Sequence, residues 1–151
     1  MDIELVVFDL DFTLWDAGGT WCDHRSPPFK VSSKGVSDAQ GKIVNLYPDA
    51  MEIFQVIEDN NIPMGIASRT EEPEWARRLL ELLGIRDKFK YEEIFPGSKV
   101  THFNNLKEKS GIDFDKILFY DDEPRNIDEV SGLGVNCYLV RNGINIDEFG
   151  F

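Results

Sequence analysis

The run Glu4–Leu10 (ELVVFDL), which leads straight into Asp11-Phe12-Thr13, decides how this chain reads. A nearly unbroken apolar stretch of that length predicts a strand buried on both faces. Three later stretches have the same character: Pro63–Ala67 (PMGIA), Ile117–Tyr120 (ILFY) and Val135–Val140 (VNCYLV). Helical periodicity fills the gaps. Ala50, Ile53, Phe54 and Ile57 recur at i, i+3, i+4, i+7 behind Pro48-Asp49, which is placed as a helix start. Trp75, Leu79 and Leu82, flanked by Ala76, Leu80 and Leu83, form a second stripe that ends at Gly84. A third helix carries Phe103 and Leu106 and stops at Gly111, and a fourth runs from Pro124 through Ile127, Val130 and Leu133 to Gly134. A short strand fits between the second and third helices. Alternating strands and helices predict an α/β, Rossmann-like, three-layer α/β/α parallel sheet.

One stretch interrupts the alternation. From about residue 16 to 46 the chain is rich in Gly, Ser, Pro and Asp, and the short alternating runs around Gly35 and Gly41 predict a small β-hairpin. Such a segment is too long for a simple strand-to-helix loop and reads as a flap insert. It has too little apolar content for a core of its own, so residues 1–151 are expected to form a single domain.

Composition narrows the function. Twenty-eight acidic against sixteen basic residues leave a net charge of −12. That sign disfavours sequence-independent binding to nucleic acid or to an anionic membrane. No apolar run approaches the ~20 residues of a membrane span, and the opening MDIELVVFDLD lacks a basic n-region. Cys22 and Cys137 are too few for a disulfide framework or a zinc site. The expectation is a cytoplasmic monomer that contacts neither nucleic acid nor membrane.

Charged and polar residues gather where the predicted strands end. The first strand runs into Asp9-Leu10-Asp11-Phe12-Thr13, and in extended chain Asp9 and Asp11 share a face. Open α/β sheets bind ligands at that edge. Two carboxylates so close repel unless a shared proton or a cation relieves them, and a hard cation such as Mg2+ does so through oxygen ligands. The strand Ile117–Tyr120 exits into Asp121-Asp122-Glu123, with Asn126 at the opening of the next helix. A strand ending in Ser68-Arg69-Thr70 supplies a hydroxyl and a guanidinium, and Pro96-Gly97-Ser98-Lys99 delivers a lysine. Each feature has a plainer reading as strand exit, cap or solvated charge. Their ordered recurrence at strand ends points to phosphate chemistry.

The ordered set Asp9-x-Asp11-x-Thr13, Ser68, Lys99, Asp121-Asp122 resembles the four motifs of the haloacid dehalogenase (HAD) superfamily. The strings VFDLDFTLW, RSPPFK, LYPD, ASRT, PGSKVTHF and DDEPRNI are similar to those of its magnesium-dependent phosphatase-1 family, from Val7 to about Arg141. The resemblance implies a Mg2+-dependent phosphomonoesterase with a small flap in place of a full cap domain. Asp9 would be the nucleophile that forms an aspartyl-phosphate, and Asp11 the acid and then the base. Mg2+ would be held by Asp9, the Asp11 carbonyl and Asp122. Ser68, Arg69 and Lys99 would hold the phosphate, and Thr13, Asp121 and Asn126 would support these groups. Substrates implied are a phosphorylated small molecule or a phosphoprotein, including protein tyrosine phosphate and protein-bound fructosamine 6-phosphate. A phosphotransferase or mutase, and a receiver-like phosphoacceptor module, remain as alternatives.

Other residues read as structural. His24 and His102 are expected to be polar surface or cap residues, Cys22 an exposed thiol, and Cys137 a small core residue. Trp15, Trp21 and Phe29 form either an aromatic wall beside the site or the insert's own miniature core.

Overall fold

The computed structural model describes residues 2–150. The opening apolar run forms β1 (Leu5–Phe8), whose four residues are all fully buried. Successive side chains point to opposite faces, so Val6 and Phe8 enter one core cluster while Leu5 and Val7 enter the other. This is the physical basis for an unbroken rather than alternating pattern.

The chain leaves β1 through an insert containing β2 (Trp15–Asp16), β3 (Lys30–Ser32), β4 (Gly35–Ser37) and β5 (Ile43–Leu46). It then alternates α1 (Ala50–Asp59), β6 (Met64–Ser68), α2 (Pro73–Leu82), β7 (Phe89–Ile94), α3 (Lys99–Ser110), β8 (Ile117–Asp121), α4 (Pro124–Ser131) and β9 (Asn136–Leu139). The main sheet has the order β7-β6-β1-β8-β9 and is parallel throughout. Helices α1 and α2 cover one face through Ile53, Phe54, Leu79 and Leu80. Helices α3 and α4 cover the other through Phe103, Leu106 and Val130. The expected three-layer α/β/α arrangement is therefore present. From β1 the chain steps outward to β6 and β7, then returns to the other side of β1 for β8 and β9. The crevice at the carboxyl ends of β1 and β8 lies at this change of direction, where open α/β sheets bind ligands.

Two local differences from the sequence reading are informative. Helix α4 ends at Ser131, a turn before the stripe would carry it, and Gly132 sits at its C-cap. The insert is more than a hairpin: β3–β4 is extended by β5 and β2 into a four-stranded antiparallel sheet of order β2-β5-β4-β3. Its apolar residues Trp15, Ala17, Cys22, Phe29, Val36 and Val44 join the core cluster beneath α1 and α2. The insert thus borrows the main core instead of building its own. The loop between β4 and β5 is organised by buried Asp38, which accepts N–H bonds from Ser26 (2.9 Å), Gln40 (2.9 Å) and Lys42 (2.8 Å).

Candidate active site

Three strands deliver their polar residues to one cleft of about 340 Å³. Immediately after β1, the N–H groups of Thr13, Leu14 and Trp15 all turn back to the Leu10 carbonyl, and Phe12 takes a left-handed conformation with φ 64°. That turn keeps both Asp9 and Asp11 at the cleft. Asp9 Oδ2 accepts from the Thr13 hydroxyl at 3.2 Å, and Asp9 Oδ1 accepts from Lys99 Nζ at 2.9 Å. Asp11 is buried and its Oδ1 accepts from Trp15 Nε1 at 2.7 Å and from the Cys22 N–H at 2.8 Å. Burial pushes the Asp11 carboxyl up to about 7; the Trp15 and Cys22 bonds oppose this and the nearby Asp9 charge adds to it.

The β8 exit brings the second pair of acids. Asp121 is fully buried and saturated. Its Oδ2 accepts from Lys99 Nζ (2.6 Å) and Asn126 Nδ2 (3.1 Å), and its Oδ1 from the Glu123 N–H (2.9 Å). Asp122 instead lines the cleft. Desolvation first, then Asp9, raises Asp121 to about 6 despite Lys99; desolvation, with a hydrogen bond and repulsion from Asp9, raises Asp122 to about 9. Lys99 is 1% exposed at the first turn of α3; burial pushes its ammonium down, but Asp9 and Asp121 push it up and prevail.

Carboxylate oxygens of Asp9, Asp121 and Asp122 lie within 4.8 Å of one another, faced by one lysine. Three acids against one base leave an excess of negative charge that forces carboxyls toward the protonated form. A hard divalent cation relieves the same excess through oxygen ligands, so this donor set fits Mg2+, with Asp9 and Asp122 on the cleft side. A second group, Asp11, Cys22 and Asp23, is equally close but fits a cation poorly. Asp11 Oδ1 is already occupied, Asp23 accepts from the Thr70 hydroxyl and the Glu71 N–H, and burial pushes the Cys22 thiol far up.

The β6 exit supplies Ser68, buried and lining the cleft, and Arg69, whose Nη1 donates to Asn126 Oδ1 at 3.1 Å. The cleft therefore holds Asp9, Asp11, Ser68, Arg69, Lys99, Asp122 and Asn126, with Thr13 and Asp121 bonded directly behind. All nine residues singled out in the sequence meet in one place.

Several structural expectations need correction. His102 is neither surface nor cap: it is fully buried on α3 and stacks on Phe95 with centroids 4.0 Å apart. Its Nε2 faces the carbonyls of Ser68 and Phe95, both at 2.8 Å, and its Nδ1 faces the Ser98 carbonyl at 3.1 Å. Burial, opposed by these carbonyls and aided by the Lys99 charge, lowers its proton affinity; Nε2, which faces two carbonyl oxygens, is assigned as a donor. One imidazole thus ties the Ser68 strand end to the loop that delivers Lys99. The only sequence signal was spacing: His102 follows Lys99 by three residues, on the same face of α3. Cys22 is buried, not an exposed thiol, and Cys137 is half-buried. The three aromatic residues separate: Trp15 and Phe29 are buried, whereas Trp21 is 47% exposed and lines the cleft. Trp21 makes edge contacts with Phe12 (6.1 Å) and His24 (5.6 Å).

Sheet order and strand-end acids around the cleft define a HAD-like protein. The L-2-haloacid dehalogenase of Xanthobacter autotrophicus shares the fold, with a TM-score of 0.65 at 16% identity over 91% of this chain and 77% of that one. The chain belongs to the acid phosphatase family, whose model matches residues 3–150. It is similar to magnesium-dependent phosphatase 1 of Homo sapiens, with 48% identity over 145 residues, covering 95% of this chain and 81% of the relative. It is also similar to a HAD-like hydrolase superfamily protein of Schizosaccharomyces pombe, 36% identical and covering 97% and 91%.

Proposed function

We propose that the protein is a Mg2+-dependent phosphomonoesterase that transfers the phosphoryl group to Asp9 and then to water. The observation that carries this reading is the placement of Asp9 at the cleft, 2.9 Å from buried Lys99 and beside Asp122. The relative at 48% identity is named a magnesium-dependent phosphatase, which supports the choice of metal. The side chains of Asp9 and Asp122 and the Asp11 carbonyl would hold Mg2+, which when bound offsets negative charge on the phosphoryl oxygens.

The chain's own groups divide the remaining work. Lys99 holds the Asp9 carboxylate in place and, with Arg69 and Ser68, offers donors to phosphoryl oxygens. Asp9 attacks phosphorus as the ester P–O bond breaks, and Asp11 gives its proton to the departing oxygen. Water then attacks phosphorus, Asp11 takes its proton, and the Asp9–phosphorus bond breaks to release phosphate. Burial raises the Asp11 carboxyl above the ordinary carboxylate range, which suits it to act first as acid and then as base.

The cleft is framed on the insert side by Trp21 alone among the three aromatic candidates, and no separate cap stands over it among the described residues. A site of that openness suits phosphate carried on a large molecule. Phosphotyrosine on protein and protein-bound fructosamine 6-phosphate are the substrates proposed, and the single ring of Trp21 favours the former. The test is phosphate release from 4-nitrophenyl phosphate with Mg2+ and with chelator, for wild type and Asp9→Asn. Multiple turnovers that need Mg2+ and fall by several orders of magnitude in the variant are expected. One turnover followed by a long-lived phosphoprotein would instead indicate a receiver-like module. For substrate class, kcat/KM is compared across phosphotyrosine peptide, phosphoserine peptide, protein-bound fructosamine 6-phosphate and free sugar phosphates. A free metabolite preferred by about a hundredfold over every tethered substrate would refute the open-site reading.

A further inference from the structure

Asp11 must face the leaving-group oxygen with the correct atom, and the turn after β1 contains a device for that. Trp15 is fully buried, and its place is set by pairing with Leu46 of β5 and by the Phe12 N–H, which donates to the Trp15 carbonyl at 2.8 Å. The left-handed backbone at Phe12 lets the chain double back so that residue 15 lies over residue 11. There the indole Nε1 donates to Asp11 Oδ1 at 2.7 Å, and the Cys22 N–H donates to the same oxygen at 2.8 Å. Both bonds end on Oδ1. An oxygen already accepting two N–H bonds is a poor seat for a proton, whereas the other oxygen of the carboxyl is suited to carry one.

We propose that Trp15 is a positioning residue for phosphoryl transfer, its indole N–H holding Asp11 Oδ1 so that the transferable proton sits on Oδ2 toward the leaving group. This inference rests on the acid role of Asp11 given above. The plainer explanation is that Asp11 merely satisfies a buried indole, which has one donor and no acceptor. The two differ in how rate depends on the leaving group. Departure of 2,4-dinitrophenolate needs no proton, whereas departure of an alkoxide does.

The experiment compares wild type, Trp15→Phe, Asp11→Asn and the double variant on 2,4-dinitrophenyl phosphate, phenyl phosphate and an alkyl phosphate. The expected result for Trp15→Phe is a kcat/KM loss of about tenfold or more on the alkyl ester and within about threefold on the dinitrophenyl ester. Asp11→Asn should show the same slope, more steeply, and adding Trp15→Phe to it should cost little further. Equal losses of Trp15→Phe on all three esters, or no loss, would overturn the positioning role. Asp11→Asn without any leaving-group slope would overturn the acid assignment itself, a failure the single Asp11 variant identifies separately. Should Trp15→Phe fail to fold, benzothienylalanine at position 15 retains the ring shape, replaces the N–H with sulfur, and must give the same slope.

Discussion

Replacing Lys99 with methionine removes one positive charge from a buried cluster while keeping a flexible side chain of similar length. In the native protein Lys99 Nζ lies 2.9 Å from Asp9 and 2.6 Å from Asp121, and 5.2 Å from the centre of the Phe119 ring. Without it, carboxylate oxygens no more than 4.8 Å apart face each other with no cation between them. Two unit charges at that separation repel by about 3.5 kcal/mol at an effective dielectric of about 20. Breaking a buried ion pair from one side costs roughly 3–5 kcal/mol, so the metal-free variant should lose that much stability at pH 7.5. For a chain of this size the loss corresponds to roughly 6–20 °C in Tm. The pH dependence has a definite sign. Asp121 is raised above 3.8 to about 6 even with Lys99 present, and removing Lys99 drives it higher. A carboxyl raised in the folded state binds protons that the unfolded chain has released, so stability falls as pH rises through that window. The deficit of Lys99→Met relative to wild type should therefore shrink between pH 7.5 and 5.5, as one carboxyl takes up a proton. Urea denaturation of both proteins in chelator at the two pH values reads this directly. A loss under about 1 kcal/mol, or one equal at both pH values, would refute the electrostatic account.

Three further substitutions probe other parts of the argument. His102→Phe keeps the stack on Phe95 but removes the donor to the Ser68 and Phe95 carbonyls; it should cost about 1–3 kcal/mol and weaken competitive inhibition by inorganic phosphate, measured well below Tm. Asp38→Asn should cost about 1–3 kcal/mol in thermal unfolding at pH 7, because an amide N–H2 would face the Ser26 N–H. Burial raises the Asp38 carboxyl, but three backbone donors outweigh it and hold it below the usual range. Its contribution is present above about pH 4 and fades as pH falls through the folded value, so the two proteins should converge in acid. Gly143→Ala should destabilise by about 2–4 kcal/mol in the same assay, since Gly143 has φ 82° and an added Cβ would collide with the Tyr47 ring.

Sequence alone determined the β1 strand, the four helices and the sheet class, because a strand buried on both faces must be apolar at every position and a one-sided helix must repeat at 3.6. The strand-end acids Asp9, Asp11, Asp121 and Asp122 were legible for a related reason: a charge directly after a fully apolar strand has no place in the layers and must emerge at the sheet edge. What only the tertiary structure decided are contacts between residues distant in the chain. Asp121 and Asp122 are adjacent and chemically identical, yet one is saturated by Lys99, Asn126 and Glu123 while the other faces the cleft. His102 looks like any polar residue on a helix until folding brings the Ser68 and Phe95 carbonyls to its ring. Trp15 and Trp21 have similar local patterns, but β2–β5 pairing buries the first against Asp11 and leaves the second at the mouth of the cleft. Periodicity reports which side of an element meets the core; the partner atom of a buried polar group is set by which elements the sheet order makes neighbours.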